Sequence, residues 1–600
     1  MSPRSTKRVS QSRISRGLME FAEAPWLPAR LAQTGQKEPM VGTLVVVRFD
    51  TNGLLFSTTI NIRRDNKKSG DKTFMLYLRQ MIKRCANNYP TKVAYYCGDH
   101  KATWRQMDER SDRFAVALQN MGFGKGSTVS IMTLESIEVF EHFYACMKMG
   151  AARVGVNTQY AWPEMKHVLK NSKTRVLLVD ARVKSIVVEH RREIEDLGIK
   201  LIGYNGEHDF AFDYEKLLSE ATGEPAWPEL APDDLLLISY TSGTTGVPKG
   251  VMLTQRGGSD CVIHSVISFG FNPDDVWYMP AASAWVVVLT NCFGLGNSMT
   301  AVIPDGSFKI DTFLRDVERF RVTVGLLVPT MIHRAIAEYQ TGQYDLSSMR
   351  VLVYGSSPAT PKLIRDARES FKVQMIQTYA LTESSGGWVT FLTEQDHKLA
   401  LESEPELLKS VGRLGIHFDC SIRDEEGRPL PPDTKGEIWL RGTTLMKGYM
   451  DMPAETAEVL KDGWLRTNDI GRLDERGYLY LLDRQKFMII TGAVNVFPTT
   501  VEAVLVDHPA ILEVAVVGVP HPEWGEAVVA VVNRRSTHQD ATAEDIIAFC
   551  NGKLSKQETP KHVVFVDELP KTSNAKVKKA EIKKWLSSEK GLVPWNTEIE

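Results

Sequence analysis

From Thr73 onward, short apolar runs alternate with amphipathic segments. Val129–Thr133, Arg175–Val179, Leu235–Tyr240, Val324–Val328 and Val351–Tyr354 are β-branched-rich or Leu-rich and suit strands buried on both faces. Arg110–Met121 puts Phe114, Leu118 and Met121 on one helical face and stops at Gly122, as helices often do. Strands alternating with helices predict an α/β architecture. Upstream, residues 44–62 alternate around Thr51-Asn52-Gly53, which predicts a hairpin. The rhythm changes near residue 484. Val514–Val519, Val528–Val532 and Val563–Val566 then read as strands, and Thr542–Cys550 as a helix opened by a Thr-x-x-Asp pair. The chain accordingly divides into an N-terminal extension (1–72), a large domain (73–484), a small α+β domain (485–587) and a tail (588–600).

Composition removes several classes. Lys and Arg number 72 against 74 Asp and Glu, a formal charge of −2, so the chain lacks the basic field with which proteins release counterions from nucleic acid. No uninterrupted apolar stretch reaches 18 residues, so no transmembrane helix is expected. Trp285–Pro304 comes nearest, and Thr290, Asn291, Gly294, Gly296, Asn297 and Ser298 interrupt it. Seven scattered cysteines without a Cys-x-x-Cys pair argue against zinc and disulfide frameworks and for a reducing, cytoplasmic setting. The first 17 residues carry Arg4, Lys7, Arg8, Arg13 and Arg16, many serines and no acid. Val9, Ile14 and Leu18 make a poor apolar face, so a partly disordered extension is expected rather than a transit peptide.

Candidate chemistry centres on Tyr240-Thr-Ser-Gly-Thr-Thr-Gly-Val-Pro-Lys-Gly250. Seven of these eleven residues are Gly, Ser or Thr, and they follow an apolar strand. Such a loop offers backbone N–H groups and hydroxyls to a polyphosphate, and Lys249 adds a point charge at its end. A kinase-type phosphate loop is excluded, because Gly124-Lys125 precedes Gly126 and Gly552-Lys553 precedes Leu554, where Ser or Thr is required.

The loop closely resembles the signature of the adenylate-forming superfamily, which includes acyl-CoA synthetases, luciferases and the adenylation domains of peptide synthetases. The resemblance extends over Thr73–Leu586, with further motifs in the family's order. It implies that Thr241, Ser242, Gly243, Thr244, Thr245, Gly246 and Lys249 bind the phosphates of ATP. Tyr379-Ala-Leu-Thr-Glu383 is similar to the family's Tyr-Gly-x-Thr-Glu, which implies Mg²⁺ on Glu383, a phosphate contact from Thr382 and adenine packing by Tyr379. Val351–Pro358 resembles the segment walling adenine and the acyl pocket, with Gly355, Ser356 and Ser357 on the nucleotide and Tyr354 at the acyl group. Its Tyr-Gly-x-Ser-Pro form resembles the fatty-acyl-CoA-ligase branch. Gly463-Trp-Leu-Arg-Thr-Asn-Asp469 implies ribose binding by Asp469. Asp483-Arg-Gln-Lys486 implies Arg484 on the nucleotide and Lys486 at the hinge. Leu569–Lys576 resembles the C-terminal motif whose last lysine, Lys576, contacts the carboxylate and α-phosphate. The rest of the lysine run (Lys578, Lys579, Lys583, Lys584) is expected to be mostly a solvated helix face, and Gly436–Gly442 and Lys447-Gly448-Tyr449 plain β structure.

The implied fold is a large N-terminal, multi-subdomain adenylate-forming domain with a small, mobile C-terminal domain. The implied reaction joins a carboxylic acid to AMP with release of pyrophosphate and passes the acyl group to CoA. Lys576, Thr382 and Glu383 are the catalytic set, with ATP and Mg²⁺ as cofactors and Gly492 and Ala493 facing CoA. The pattern departs at Ala380, Asn468, Ala493 and Ala575 (glycines elsewhere), at Gln255 (histidine elsewhere) and at Phe487 (often acidic). Ala282 and Ser283 stand where relatives carry an aromatic residue and a histidine that gate the acyl pocket, implying room for a bulkier or differently shaped acid. Ala493 and Val494 bear on the acceptor, since a Cβ limits close backbone approach. The alternatives are an acyl-adenylate ligase loading an acyl carrier protein, another AMP-forming activation, and a nucleotide-binding protein without turnover. A serine hydrolase at Gly355-Ser-Ser-Pro-Ala359 lacks the second glycine of its motif.

Overall fold

The computed structural model describes residues 75–241, 248–280, 284–341, 344–356, 359–484, 487–491, 494–571, 577–589 and 591–595, and the backbone of two earlier strands. Those strands, Gly42–Phe49 and Leu55–Ile62, pair antiparallel from Gly42↔Ile62 to Phe49↔Leu55. They form the expected hairpin inside a unit of their own, Met1–Phe74. The disorder expected for the first residues lies outside the described residues.

The unit Met75–Glu600 opens with two large sheets. Five runs anticipated from the apolar pattern are strands: Thr128–Met132, Thr174–Asp180, Leu235–Thr241, Val324–Leu327 and Val351–Gly355. Trp104–Asn120 is the anticipated helix, but it begins before Arg110. Thr103 caps it: the Gln106 amide donates to Thr103 Oγ1 (3.2 Å) and the Thr103 amide to Gln106 Oε1 (2.8 Å).

Both sheets share one topological habit. In the first, strands from Phe212–Asp213 inward to Leu235–Thr241 run parallel, and Lys249–Thr254 then pairs antiparallel. In the second, the parallel set ends at Gln374–Ala380, and Trp388–Leu392 pairs antiparallel. Each sheet therefore changes direction just past the carboxyl end of its last parallel strand, where open α/β sheets bind ligands. The phosphate-loop motif occupies the first of these positions, and Thr382-Glu383 the second.

A single apolar core lies between the sheets and takes Ile131 and Leu237 from the first, Trp277 and Val353 from the second. Because side chains alternate along a strand, Val154 and Val156 fall into a separate cluster on the outer face of the first sheet. Leu352 and Tyr354 do the same on the second.

A smaller β sheet follows: Phe418–Arg423, Gly436–Gly442 and Trp464–Leu473, with Leu479–Arg484 paired to the last. The C-terminal sheet is built on the long antiparallel pair Ile511–His521 and Gly525–Arg534, with His562–Phe565 parallel to it. Thr542 caps the helix Ala543–Phe549 as the Thr-x-x-Asp pair predicts. The large N-terminal and smaller C-terminal parts form the mixed α/β architecture expected. In the described part of the tail Val593 is buried, Leu592 and Trp595 pack beside it, and the Trp595 indole donates to the Pro520 carbonyl at 2.9 Å. An apolar anchor every few residues seats this segment on the C-terminal core. No helix among the described residues is long and apolar enough to cross a membrane.

Candidate active site

Thr241 ends its strand paired with Lys249, so the two ends of the phosphate-loop motif are held side by side. Strand Gly448–Tyr449 adds to the far edge of Lys249–Thr254, with Val251↔Tyr449 and Met252↔Gly448 in register. The same segment reaches the second sheet, where the Met446 amide donates to the Glu383 carbonyl at 2.7 Å and Ser385 Oγ to the Thr444 carbonyl at 2.6 Å. One short stretch, 444–450, thus laces the two switch points together.

Two predicted residues and one unpredicted meet there. Glu383 sits in the 3-10 turn Thr382–Ser384, half-buried, and its Oε1 accepts a hydrogen bond from the Tyr449 hydroxyl at 3.0 Å. The Lys249 ammonium lies 5.2 Å from the centroid of the same Tyr449 ring, within cation–π range. Nearby, the Tyr379 hydroxyl donates to Asp469 Oδ2 at 2.5 Å, and both residues are buried. Tyr449 was expected to be plain β structure. The signal that reveals it is its strand partner, since the edge pairing places it across from the end of the phosphate loop.

Asn468, one of the departures, has a structural reason. It takes φ +58°, the left-handed region that glycine enters freely and asparagine more readily than other residues. Ala380 ends Gln374–Ala380 without a left-handed backbone, so a Cβ is accommodated. Gln255, in place of histidine, is buried at the start of the helix Gln255–Ser268 and donates to the Leu235 carbonyl at 3.3 Å. Gly355 lies against the neighbouring strand, where a Cβ would come 2.5 Å from the Thr378 carbonyl oxygen. Ser356 is exposed at φ +68°.

Tyr354 does not fit the acyl-pocket role. It is fully buried on the outer face of the second sheet, its hydroxyl 2.9 Å from His397 Nε2. Strand alternation decides this: Val353 faces the core between the sheets, and Tyr354 must face away. Burial pushes its hydroxyl pKa up and the His397 ring down.

Within the lysine run Lys578 and Lys584 are exposed and Lys583 keeps 45% side-chain exposure, as a solvated face requires, while Lys579 and, just upstream of the run, Lys571 do not. Lys571 pairs with Glu513 (2.6 Å) and Lys579 with Glu502 (2.8 Å), both largely buried, while Lys583 pairs with Glu526 (2.5 Å). Lys579 also lies 5.9 Å from the Phe487 ring centroid. A bridge between Lys571 and Val577 closes the loop that carries Lys576. Ser242, Gly243, Thr244, Thr245, Gly246, Ala282, Ser283, Ser357, Lys486, Gly492, Ala493 and Lys576 lie outside the described residues. Arg484 is described only by its backbone, paired with Asp469. Ala284, which follows the expected acyl gate, packs against the first sheet. A Cβ on Gly155 would come within 2.5 Å of its Cα.

Among the described residues no group of three or more His, Cys, Asp or Glu side chains is placed to hold a metal ion. Glu383 offers a carboxylate oxygen at this site. That donor set suits a hard cation that draws its other oxygens from phosphates and water, as Mg²⁺ does, and does not suit zinc.

Comparison with known proteins identifies the family. The family model for the AMP-binding enzyme matches residues 82–450, and that for the AMP-binding enzyme C-terminal domain matches 500–576. The chain is 31% identical over 517 residues to the long-chain-fatty-acid–CoA ligase FadD13 of Mycobacterium tuberculosis, covering 85% of this chain and 98% of that one. It is 32% identical over 515 residues to the indoleacetate–CoA ligase of Aromatoleum aromaticum, covering 84% and 97%. The solved amide bond synthetase McbA from Marinactinospora thermotolerans superposes with a TM-score of 0.76 at 29% identity, covering 85% of this chain and all of that one. With its phosphate-loop motif and its Thr-Glu turn at matching switch points of two sheets, the chain belongs to the AMP-binding enzyme family.

Proposed function

We propose that this protein uses ATP to activate a carboxylic acid as an acyl-adenylate and then forms the acyl- or aryl-CoA thioester. The observation that carries the reading is the convergence of Lys249, Glu383, Tyr379 and Asp469 where the two sheets change direction. In the first step a carboxylate oxygen attacks the α-phosphorus of ATP. The acyl O–P bond forms, the bond to the β-phosphate oxygen breaks, and pyrophosphate leaves. In the second, the CoA thiol attacks the acyl carbon and AMP leaves with the electron pair of the C–O bond.

Little covalent chemistry falls to the protein, so its contribution is positioning and charge stabilisation. Lys249, with the loop Thr241–Gly246, takes the phosphates. Asp469, oriented by Tyr379, takes the ribose, and Lys576 takes the carboxylate and α-phosphate. Glu383 would hold Mg²⁺, which supplies charge neutralisation at the leaving pyrophosphate. The C-terminal domain (485–587) acts as the mobile lid that brings first Lys576 and then Gly492-Ala493 to the site, pivoting at Lys486. Ala282 and Ser283 widen the acyl pocket. Seven free thiols support a reducing, cytoplasmic setting.

The test is acid-dependent ATP–pyrophosphate exchange over fatty and aryl acids, followed by product analysis with CoA, a carrier protein or an amine. Exchange followed by a CoA thioester is expected, with Lys576→Ala nearly abolishing the exchange. Exchange that survives Lys576→Ala overturns the role of that lysine, and a carrier-protein or amide product without CoA thioester overturns the acceptor.

A further inference from the structure

Lys249 and Glu383 carry opposite charges at one half-buried site, yet no ion pair joins them among the described residues. Tyr449 stands between them, its hydroxyl 3.0 Å from Glu383 Oε1 and its ring under the Lys249 ammonium. We propose that Tyr449 is a positioning residue of the nucleotide site: one side chain supports the lysine with its ring and orients the carboxylate with its hydroxyl. The two charges then wait apart for the phosphates and the metal ion. This rests on the assignments of Lys249 and Glu383 made above.

The backbone around Tyr449 is built to aim that ring. The Tyr449 amide donates to Thr456 Oγ1 at 2.9 Å, and the Met450 amide to the Gly250 carbonyl at 2.7 Å. Gly448 has φ +144°, and a Cβ there would come 2.7 Å from Thr456 Cγ2, so only glycine lets the chain turn this closely. The Met446 amide holds the Glu383 carbonyl from the same segment, fixing the distance from Tyr449 to the carboxylate.

The energetic logic follows from the charges. A direct lysine–glutamate pair in a half-buried site must be broken before ATP binds, and separating such a pair costs binding energy. A tyrosine supplies each charge with a partner weaker than an ion pair. The ring's negative face attracts the ammonium and the phenol donates to one carboxylate oxygen, Oε1, so both contacts persist while the second oxygen takes the metal and the ammonium takes phosphate.

Full-length Tyr449→Phe, Tyr449→Leu and Glu383→Gln variants test this. Mn²⁺ serves as the metal probe, with its binding read by electron paramagnetic resonance in the presence of a non-cleavable ATP analogue. Tyr449→Phe keeps the ring and the strand pairing, so thermal melting is expected to match the wild type. Its Mn²⁺ affinity is expected to fall roughly tenfold, the equivalent of one hydrogen bond to a charged group, with KM for the acid unchanged. Tyr449→Leu is expected to weaken binding of the analogue in the absence of metal as well, because Lys249 then loses its support and turns to Glu383. Wild-type Mn²⁺ affinity in Tyr449→Phe, beside weakened affinity in Glu383→Gln, overturns the positioning role alone. Wild-type affinity in Glu383→Gln overturns the reading of Glu383 as metal carboxylate, and the proposal with it.

Discussion

Asn468 shows how one backbone angle explains a motif residue. At φ +58° it stands in the strand Trp464–Leu473, one residue before Asp469. Where the strand pairs with Gly436–Gly442 the register shifts: Glu437 faces Ile470, while Trp439 faces Arg466. The extra residues bulge outward and turn Asp469 toward Tyr379. Asn468→Gly is expected to leave stability close to the wild type, whereas Asn468→Ala, which brings a Cβ without the asparagine side chain, should cost about 1 kcal/mol. Urea unfolding of the two variants checks this, and equal midpoints would dispose of the backbone argument. The neighbouring hydrogen bond makes a second case. Tyr379→Phe strips a donor from a buried carboxylate, for which about 1–3 kcal/mol of stability is expected to go. It should also raise KM for ATP while KM for the acid stays level. A rise in both would mean that Tyr379 shapes the whole pocket rather than orienting Asp469.

At the scale of elements, legibility depended on how local the information is. The strands Thr128–Met132, Leu235–Thr241 and Val351–Gly355 were readable because a buried parallel strand is a continuous apolar run. Which face Tyr354 took was also in the sequence, through its parity with Val353, but the motif's likeness to a pocket wall masked it. Tyr449 was not readable, because its role arises only when a strand edge brings it beside a lysine far away in sequence. The same holds for the segment around Lys576. Lys571 and Lys579 look like ordinary solvated lysines until Glu513 and Glu502, from distant elements, fold beneath them. Lys571 and Glu513 keep only 16% and 14% side-chain exposure, so removing one charge leaves the other buried and uncompensated. Lys583, at 45%, is an exposed partner worth little. Glu513→Gln is accordingly expected to slow acid-dependent pyrophosphate exchange roughly tenfold without changing ATP affinity, because it loosens the clasp below the segment proposed to supply Lys576. Lys583→Met should leave the exchange rate within about twofold. Equal effects of the two variants would show that the clasp does not position the loop.

At the scale of the whole molecule, three buried histidines set the acid limit of stability. His142 is fully buried on the helix Glu138–Met149, facing Phe114 of Trp104–Asn120 and near Arg153 of the strand Ala152–Val156. Burial, and secondarily the Arg153 charge, hold its pKa well below the ordinary value. His264 and His397 are lowered as well, chiefly by burial, although the Trp388 and Thr393 carbonyls pull them partly back. A group depressed in the folded state contributes stability that is present above its unfolded pKa, near 6.5 for histidine, and is lost as pH falls below it. Asp316 opposes this. Burial raises its carboxyl to about 6, so its contribution is present at low pH and lost as pH rises through about 6. The buried Glu141 carboxyl is likewise raised, chiefly by burial, yet three protons outweigh two, so stability should fall as pH drops from 7 to 5. Each histidine adds a slope of roughly 1 kcal/mol per pH unit until its folded pKa is reached. His142→Leu should flatten that slope by one such increment, and Asp316→Asn should steepen it while raising stability at pH 7. Urea midpoints at pH 7, 6 and 5 measure all three proteins. A wild-type slope of zero, or a His142→Leu profile parallel to the wild type, would remove His142 from the titration. The acid limit would then rest on the carboxylates of Asp275, Glu394 and Asp396, which, against the upward push of burial, hydrogen bonds and their arginine partners hold below the ordinary carboxylate range.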